Sequence, residues 1–216
     1  MEKKIHTYES EDITIEFDSK RCLHSSECVK GLDSVFDPNK RPWIQPENAS
    51  ADQIKEVVHR CPTGALQYKN ANSEEKPDRR NSITISPDGP LYLRGNIEIQ
   101  NAEGETILED TRAALCRCGA SDNKPLCDNS HEEIDFEAPA GFDDSKLRPT
   151  DSGDFTKKLV LKLMNNGPIL VDGKYKVYSI GSRSVNSTKN VAFCRCGHSG
   201  TKPFCDGSHK EVGFEG

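Results

Sequence analysis

A pattern of soft ligands occurs twice in this chain at one spacing. Residues 116–131 read CRCGASDNKPLCDNSH and residues 194–209 read CRCGHSGTKPFCDGSH, each C-x-C, eight residues, then C-x3-H. The copies stand 78 residues apart, and the register holds without a gap from Gly89-Pro90 against Gly167-Pro168 to Phe136 against Phe214. Gly95 meets Gly173, Arg117 meets Arg195, and Lys124-Pro125 meets Lys202-Pro203 in that alignment. Chance does not keep so long a register, so the pattern marks an internal duplication. It also sets what the fold has to do, which is to gather three thiols and an imidazole twice.

Little else is available to hold such a chain together. Only 33% of its 216 residues are hydrophobic, 30% are charged, and the mean hydropathy is −0.73. Small units with so light a core need disulfides or metals as staples. The nine cysteines are an odd number, and the opening MEKKIHTYESEDITIEF lacks the apolar stretch of a secretory signal. A reducing, cytoplasmic compartment is the expectation, and there clustered cysteines bind metal rather than each other. The sequons at Asn48 and Asn186 are then chance matches. No run of about 18 apolar residues offers a membrane span. A net charge of −6 without a basic block makes nucleic acid a poor partner and is compatible with a redox protein bearing a basic patch.

Every cysteine belongs to a group of three: Cys22, Cys28 and Cys61; Cys116, Cys118 and Cys127; Cys194, Cys196 and Cys205. None is left over as a small core filler. Alternating stretches precede each repeated motif, YLRGNIEIQ in the first unit and LVLKLM and KYKVYSI in the second, and predict strands. Each ligand stretch reads as a loop ending in a short helix, with Asp128 and Asp206 as its N-caps. That places Cys127 and Cys205 beside a helix start, which favours the thiolate. Pro125 and Pro203 fix φ just ahead of those cysteines. Arg117 and Arg195, between paired ligands, either counter the charge of a bound cluster or are simply solvated. His198 aligns with Ala120 and reads as a loop residue rather than a ligand.

The second copy fits C-x-C-x2-[ST]-x3-P-x-C-D-G-[SAT]-H through Cys194, Cys196, Ser199, Pro203, Cys205, Asp206, Gly207, Ser208 and His209. It resembles the CDGSH iron–sulfur (NEET) family, and the resemblance covers residues 80–216. The resemblance implies a [2Fe–2S] cluster in each copy. Cys194 and Cys196 would hold one iron and Cys205 and His209 the other; Cys116 and Cys118 would pair likewise, with Cys127 and His131 on the second iron. The first copy departs once, with Asn129 in place of glycine, and asparagine is the best-tolerated substitute where backbone turns left-handed. Zinc is the alternative, since Cys3His also suits a tetrahedral ion, although zinc knuckles more often use C-x2-C pairs. Relatives with one motif pair as homodimers, so the tandem copies imply a β-rich, pseudo-twofold module within one chain, favouring a monomer.

Against the −2 of a four-thiolate [2Fe–2S] site, one imidazole leaves about −1 and favours reduction. The same histidine is titratable, and protonation competes with iron for its nitrogen.

The N-terminal third differs. ITIEF is followed by C-L-H-S-S-E-C at Cys22–Cys28, by RPWIQP, and by a helical SADQIKEVVHR that runs into Cys61-Pro62. Ile54, Val57 and Val58 share one face of that helix. A local cysteine group plus a remote Cys-Pro is how small ferredoxins hold cubane-type clusters. The stretch C-x-H-x3-C-V-x-G-L, with VFD, RPW and CPTGAL, looks like the divergent mono-cluster ferredoxin domain. Ser25 stands where ordinary ferredoxins have a middle cysteine. Cys22, Cys28 and Cys61 would therefore carry [3Fe–4S], or [4Fe–4S] completed by Ser25, His24 or solvent; a domain without a cluster is the other reading. His59 reads as surface and Trp43 as core packing.

These readings give an α+β protein. A ferredoxin-like module occupies residues 1–70, a linker 71–81, the first CDGSH repeat 82–137, a polar connection 138–157, and the second repeat 158–216. No Gly-rich nucleotide fingerprint or nucleophile elbow accompanies the cysteines, which argues against an enzyme with its own substrate. The expected role is electron transfer or iron–sulfur cluster delivery, to a redox protein or an apo iron–sulfur acceptor. A structural zinc-binding interaction module is the competing class.

Overall fold

A computed structural model describes residues 4–70, 73–179, 184–187 and 190–216. Outside them fall the first three residues of the acidic start, Ala71 and Asn72 of the expected linker, Ile180 of the expected strand KYKVYSI, and Thr188 of the second sequon. The fold is α+β, in two compact units that divide between Lys76 and Pro77.

The first unit is a four-stranded antiparallel sheet in the order β1 (Ile5–Glu9), β2 (Thr14–Asp18), β3 (Leu66–Asn70), β4 (Ser73–Glu74). Two helices, α1 (Glu27–Gly31) and α2 (Ala51–Arg60), separate β2 from β3 along the chain. A reciprocal cap starts α2: the Gln53 N–H donates to Ser50 Oγ at 3.4 Å and the Ser50 N–H to Gln53 Oε1 at 3.2 Å. Ile54, Val57 and Val58 recur at helical spacing and are buried with Ile13, Ile15, Phe36 and Ile44. Cys61 is the C-cap residue, and Pro62 after it cannot extend the helix. The helix thus delivers Cys61 to a fixed place.

The segment expected as a linker is partly structured. Ser73 and Glu74 pair with Asn70 and Lys69 of β3, and Glu75 lies 3.1 Å from His59 as an ion-pair partner. Asn81, at its far end, is wholly buried in the second unit. Polar composition hid these contacts because they are made by backbone and by charged pairs rather than by apolar side chains.

One eight-stranded sheet organises the second unit. Its strands are β5 (Ser82–Ile85), β6 (Leu91–Gln100), β7 (Thr106–Leu115), β8 (Leu159–Leu163), β9 (Ile169–Asp172), β10 (Tyr175–Ser179), β11 (Ser184–Ser187) and β12 (Val191–Phe193), with the short helix α3 (Ser130–Glu133) after β7. The duplication governs the pairing. β5 runs antiparallel to β6 of its own repeat and parallel to β10 of the other; β8 runs antiparallel to β9 and parallel to β6. Ser82 faces Lys176 and Val160 faces Glu98, the same pairing with the repeats exchanged. Gly95 (φ +125°) and Gly173 (φ +124°) mark the places where a strand changes partners. Each repeat therefore completes the other's sheet, and the core mixes both, with Ile83, Leu93, Ile99, Leu161, Val171, Tyr175 and Phe193 fully buried together.

The connection of residues 138–157 also departs from its polar reading. Ala140, Phe142 and Leu147 are buried in the shared core, and Phe155 is buried beside Arg80, which lies 5.9 Å over its ring. A few apolar side chains spaced along a polar segment suffice to pin it, and composition averages them away.

Asn81 ties this arrangement together. Its Nδ2 donates to the Lys157 carbonyl at 2.7 Å and the Lys174 carbonyl at 3.2 Å, and its Oδ1 accepts from the Asn96 N–H at 2.9 Å. Asn81→Ala leaves those buried partners unmatched and is expected to destabilise the second unit by about 2–4 kcal/mol. Urea unfolding of the full chain checks this; an unchanged midpoint would show the three bonds to be without net worth.

Candidate metal centres

Each repeated motif hangs from the end of a strand and is held by its own backbone. The Cys116 N–H donates to the Pro125 carbonyl and the Cys194 N–H to the Pro203 carbonyl, both at 2.9 Å. The Cys127 N–H reaches the Ala114 carbonyl at 2.9 Å and the Cys205 N–H the Ala192 carbonyl at 2.8 Å. Ser121 and Ser199 cross the loop, each donating at 2.6 Å to the carbonyl before the third cysteine, Leu126 and Phe204.

The donors come in pairs. Cys116 Sγ and Cys118 Sγ are 3.5 Å apart, and Cys127 Sγ lies 3.4 Å from His131 Nδ1. In the second copy Cys194 and Cys196 are 3.7 Å apart and Cys205 lies 3.4 Å from His209 Nδ1. Two ligands on one tetrahedral metal, with sulfur at about 2.3 Å, stand about 3.7 Å apart. The pairs fit that spacing, and among the described residues no three such donors gather around a single ion position.

Burial differs along each site. Cys116, Cys118, Cys127, Cys194 and Cys196 are buried, whereas His131, Cys205 and His209 are half-buried. Burial pushes the Cys127 thiol up to about 11 and raises that of Cys205. Cys116 and Cys118 share one proton through their contact, the first held low and the second high. Burial also lowers the His131 pKa, which keeps a lone pair available on the imidazole. Metal binding would therefore expel protons from thiols that otherwise keep them.

The caps differ by one residue from expectation. Asn129 (φ +75°) and Gly207 (φ +100°) occupy the N-cap positions, both left-handed. Asp128 and Asp206 act one residue earlier: each accepts from the N–H two residues on, Ser130 or Ser208, at 3.0 Å, and from that serine's hydroxyl at 2.6 Å. An Asx turn feeding a left-handed residue replaces the simple cap. Asparagine adopts this conformation more readily than any other substitute, so Asn129 keeps the loop on the path that Gly207 takes.

Neither arginine is solvated. Arg117 is 2% exposed; its Nε donates to the Gly89 carbonyl at 2.6 Å, its Nη2 donates to the Ser86 carbonyl, and its guanidinium lies 5.7 Å over the Phe136 ring. Arg195 repeats this on Gly167 at 2.8 Å and Met164 at 2.7 Å, 5.3 Å over Phe214. Arg117 Nη1 is buried without a hydrogen-bond partner, as an absent anionic group beside it would leave it. Burial draws the Arg117 pKa down to about 10, against attraction from Cys194, Asp88 and Cys118. His198 makes no part of either donor pair.

Sequence reasoning passed over Gly119 and Gly197, although both recur at the repeat spacing. They have φ +82° and +83°, and each packs on the other repeat's second cysteine: a Cβ on Gly119 would lie 2.8 Å from the Cys196 carbonyl oxygen, and one on Gly197 would lie 3.0 Å from the Cys118 carbonyl carbon. The two C-x-C loops lean directly on each other.

In the first unit, Cys22, Cys28 and Cys61 line one cavity of about 610 Å³, with His24, Ser25, Phe17 and Trp43. Trp43 packs edge-on against Phe17 at 5.0 Å, so it serves the core and the cavity wall together. Cys22 Sγ lies 4.0 Å from His24 Nδ1, and Cys61 Sγ 3.6 Å from Thr63 Oγ1. Burial raises the thiols of Cys22 and Cys28, the latter to about 11, and the neighbouring thiols add to it. His24 (φ +52°) and Ser26 (φ +62°) hold the loop in left-handed turns around this space.

Two families match these units. The family described as "Divergent 4Fe-4S mono-cluster" matches residues 8–71, and "Iron-binding zinc finger CDGSH type" matches residues 88–132 and 166–210. The N-terminal unit is also similar to the uncharacterised protein YjdI of Escherichia coli, in strains K12 and O157:H7, at 35% identity over 63 residues, 29% of this chain and 83% of that protein. No solved structure matches the chain. The chain belongs to the divergent 4Fe-4S mono-cluster family through its first unit, and its second unit carries two tandem CDGSH domains, making it an iron–sulfur-binding protein. No helix among the described residues is long and apolar enough to cross a membrane.

The mutual contact of the loops generates a test. Gly197→Ala sets a methyl against the Cys118 main chain at a left-handed position, at an expected cost of about 1–3 kcal/mol. Loss of iron to a chelator should quicken at both CDGSH sites, although the change lies in the second repeat. Acceleration at one site alone would contradict the contact.

Proposed function

We propose that the chain carries three iron–sulfur clusters and delivers those of its CDGSH module, or their electrons, to a protein acceptor through the histidine side of each site. Cys116 and Cys118 hold one iron of the first [2Fe–2S] cluster and Cys127 and His131 the other. Cys194, Cys196, Cys205 and His209 do the same for the second. Cys22, Cys28 and Cys61 hold a [3Fe–4S] or [4Fe–4S] cluster in the first unit. When bound, such clusters supply one-electron chemistry at potentials set by ligands, charge and hydrogen bonds.

The observation that carries this reading is the asymmetry of the donor pairs. Buried thiol pairs 3.5 and 3.7 Å apart fix one side of each site, and Cys–His pairs at 3.4 Å, each with a half-buried histidine, form the other. A thiolate must gain a proton to leave a metal as a neutral group, whereas an imidazole leaves neutral as it stands and a proton on its freed nitrogen then blocks its return. Release therefore begins at His131 and His209, on the side an acceptor reaches. In the metal-free chain burial lowers the His131 pKa, so its imidazole is held neutral and able to accept iron. Strand exchange between the repeats builds both sites in one chain, and a monomer is the proposed state.

His209→Cys tests the delivery reading. The added thiolate contributes one negative charge, so the reduction potential of that site should fall. Cluster loss on mild acidification should slow, and transfer to an apo-ferredoxin should slow with it. Unchanged transfer with an altered electron-transfer rate would instead identify an electron carrier. If neither His209→Cys nor His131→Cys moves the potential or the acid stability, the histidines are not ligands.

Replacing Cys22 or Cys61 by alanine should remove the cubane-type electron paramagnetic resonance signal and leave both [2Fe–2S] signals intact. Loss of the latter would show that the two units do not load independently.

A further inference from the structure

We propose that the Thr63 hydroxyl donates a hydrogen bond to the Cys61 sulfur and thereby raises the reduction potential of the cluster in the first unit. The proposal rests on Cys61 being an iron ligand, as read above, and it adds a residue to which no ligand spacing points. Cys61 caps α2, and the chain then turns through Pro62, Thr63 and Gly64 into Ala65, just ahead of β3. Gly64 (φ +68°) takes the left-handed step that this turn requires.

The turn holds Thr63 from two sides. Its carbonyl accepts from Arg21 Nη2 at 2.7 Å, which ties the Cys61 segment to the residue before Cys22. Its Oγ1 accepts from the Ala65 N–H at 3.1 Å, and the Ala65 carbonyl accepts in turn from the Asp18 N–H at 2.8 Å. So fixed, Thr63 Oγ1 stands 3.6 Å from Cys61 Sγ, within hydrogen-bond reach of a sulfur. Cys22 differs, because the side chain beside its sulfur, 4.0 Å away, is the exposed His24.

Chemistry decides which of the two atoms carries the hydrogen. While Cys61 is a thiol, either group can donate. As an iron ligand Cys61 is a thiolate and has no hydrogen to give. A hydroxyl has one hydrogen and two lone pairs. The Ala65 N–H takes a lone pair, so the hydrogen is left for the sulfur. Thr63 is 3% exposed and Cys61 9%, so water competes poorly for this bond, and a dry hydrogen bond is electrostatically stronger. Reduction places added negative charge partly on the ligating sulfurs. A donor at one of them therefore stabilises the reduced state more than the oxidised one.

Potentiometric titration of the full chain, followed by electron paramagnetic resonance, tests this. Thr63→Val keeps the shape and removes the donor, so the cubane-type wave should move to lower potential while both two-iron waves stay in place. Thr63→Ser keeps the hydroxyl and should restore most of the shift. Resonance Raman gives a second reading: the Fe–Sγ stretching bands of the first unit should move between ordinary and heavy water in the unsubstituted chain, and move less in Thr63→Val. A merely structural role would lower the urea midpoint of Thr63→Val without these signatures. A wave that Thr63→Val leaves unmoved, or that Thr63→Ser does not restore, overturns the proposal and leaves the ligand assignment in place. A cubane-type signal that persists in Cys61→Ala would defeat the assignment itself. If Thr63→Val does not load, the unsubstituted chain decides: bands that shift in heavy water support the proposal, and bands that stay overturn it.

Discussion

Two glycines, Gly119 and Gly197, let the C-x-C loops of the repeats touch through their main chains, and much of the second unit is arranged to hold that contact. Side chains there would collide with the cysteine backbones, so this close approach requires glycine at both positions. Strand exchange supplies the framework. β5 and β8 each pair with both repeats, so the loops are brought together by a sheet that cannot be divided between the copies. Close contact and shared pairing are one constraint at two scales.

From that constraint the character of the sites follows. The thiol pairs sit innermost, where the loops meet and water is excluded. His131 and His209 lie further out, on the short turns after Asp128 and Asp206, where an acceptor can approach. Arg117 and Arg195 are buried, and anchoring carbonyls come from Gly89 and Gly167, the first positions of the repeat register. A residue that looks like a spacer between two ligands is one of the most thoroughly held side chains in the unit.

Much of this was legible from the sequence because the signals were local or periodic. The ligand spacing and the apolar face of Ile54, Val57 and Val58 are fixed by a few neighbouring residues, and the duplication shows as a constant offset. What was not legible depends on distant pairing. Asn81 reads as part of a polar linker because its three partners lie at Asn96, Lys157 and Lys174. Phe142 and Leu147 vanish in a polar average, and their burial is decided by the sheet they cover. The glycines after each C-x-C were visible as a repeat, yet their reason is the opposite loop, which no local pattern encodes. In the first unit, the three cysteines were readable as a set, and the cavity they share with His24 and Ser25 came only with the fold.

The account stands or falls on what the donor pairs hold. Anaerobically purified full-length protein should be coloured and contain about seven or eight iron atoms per chain, with acid-labile sulfide, as two two-iron clusters and one cubane-type cluster require. A colourless protein holding about two zinc ions and no sulfide, one ion for each Cys3His set, would contradict it.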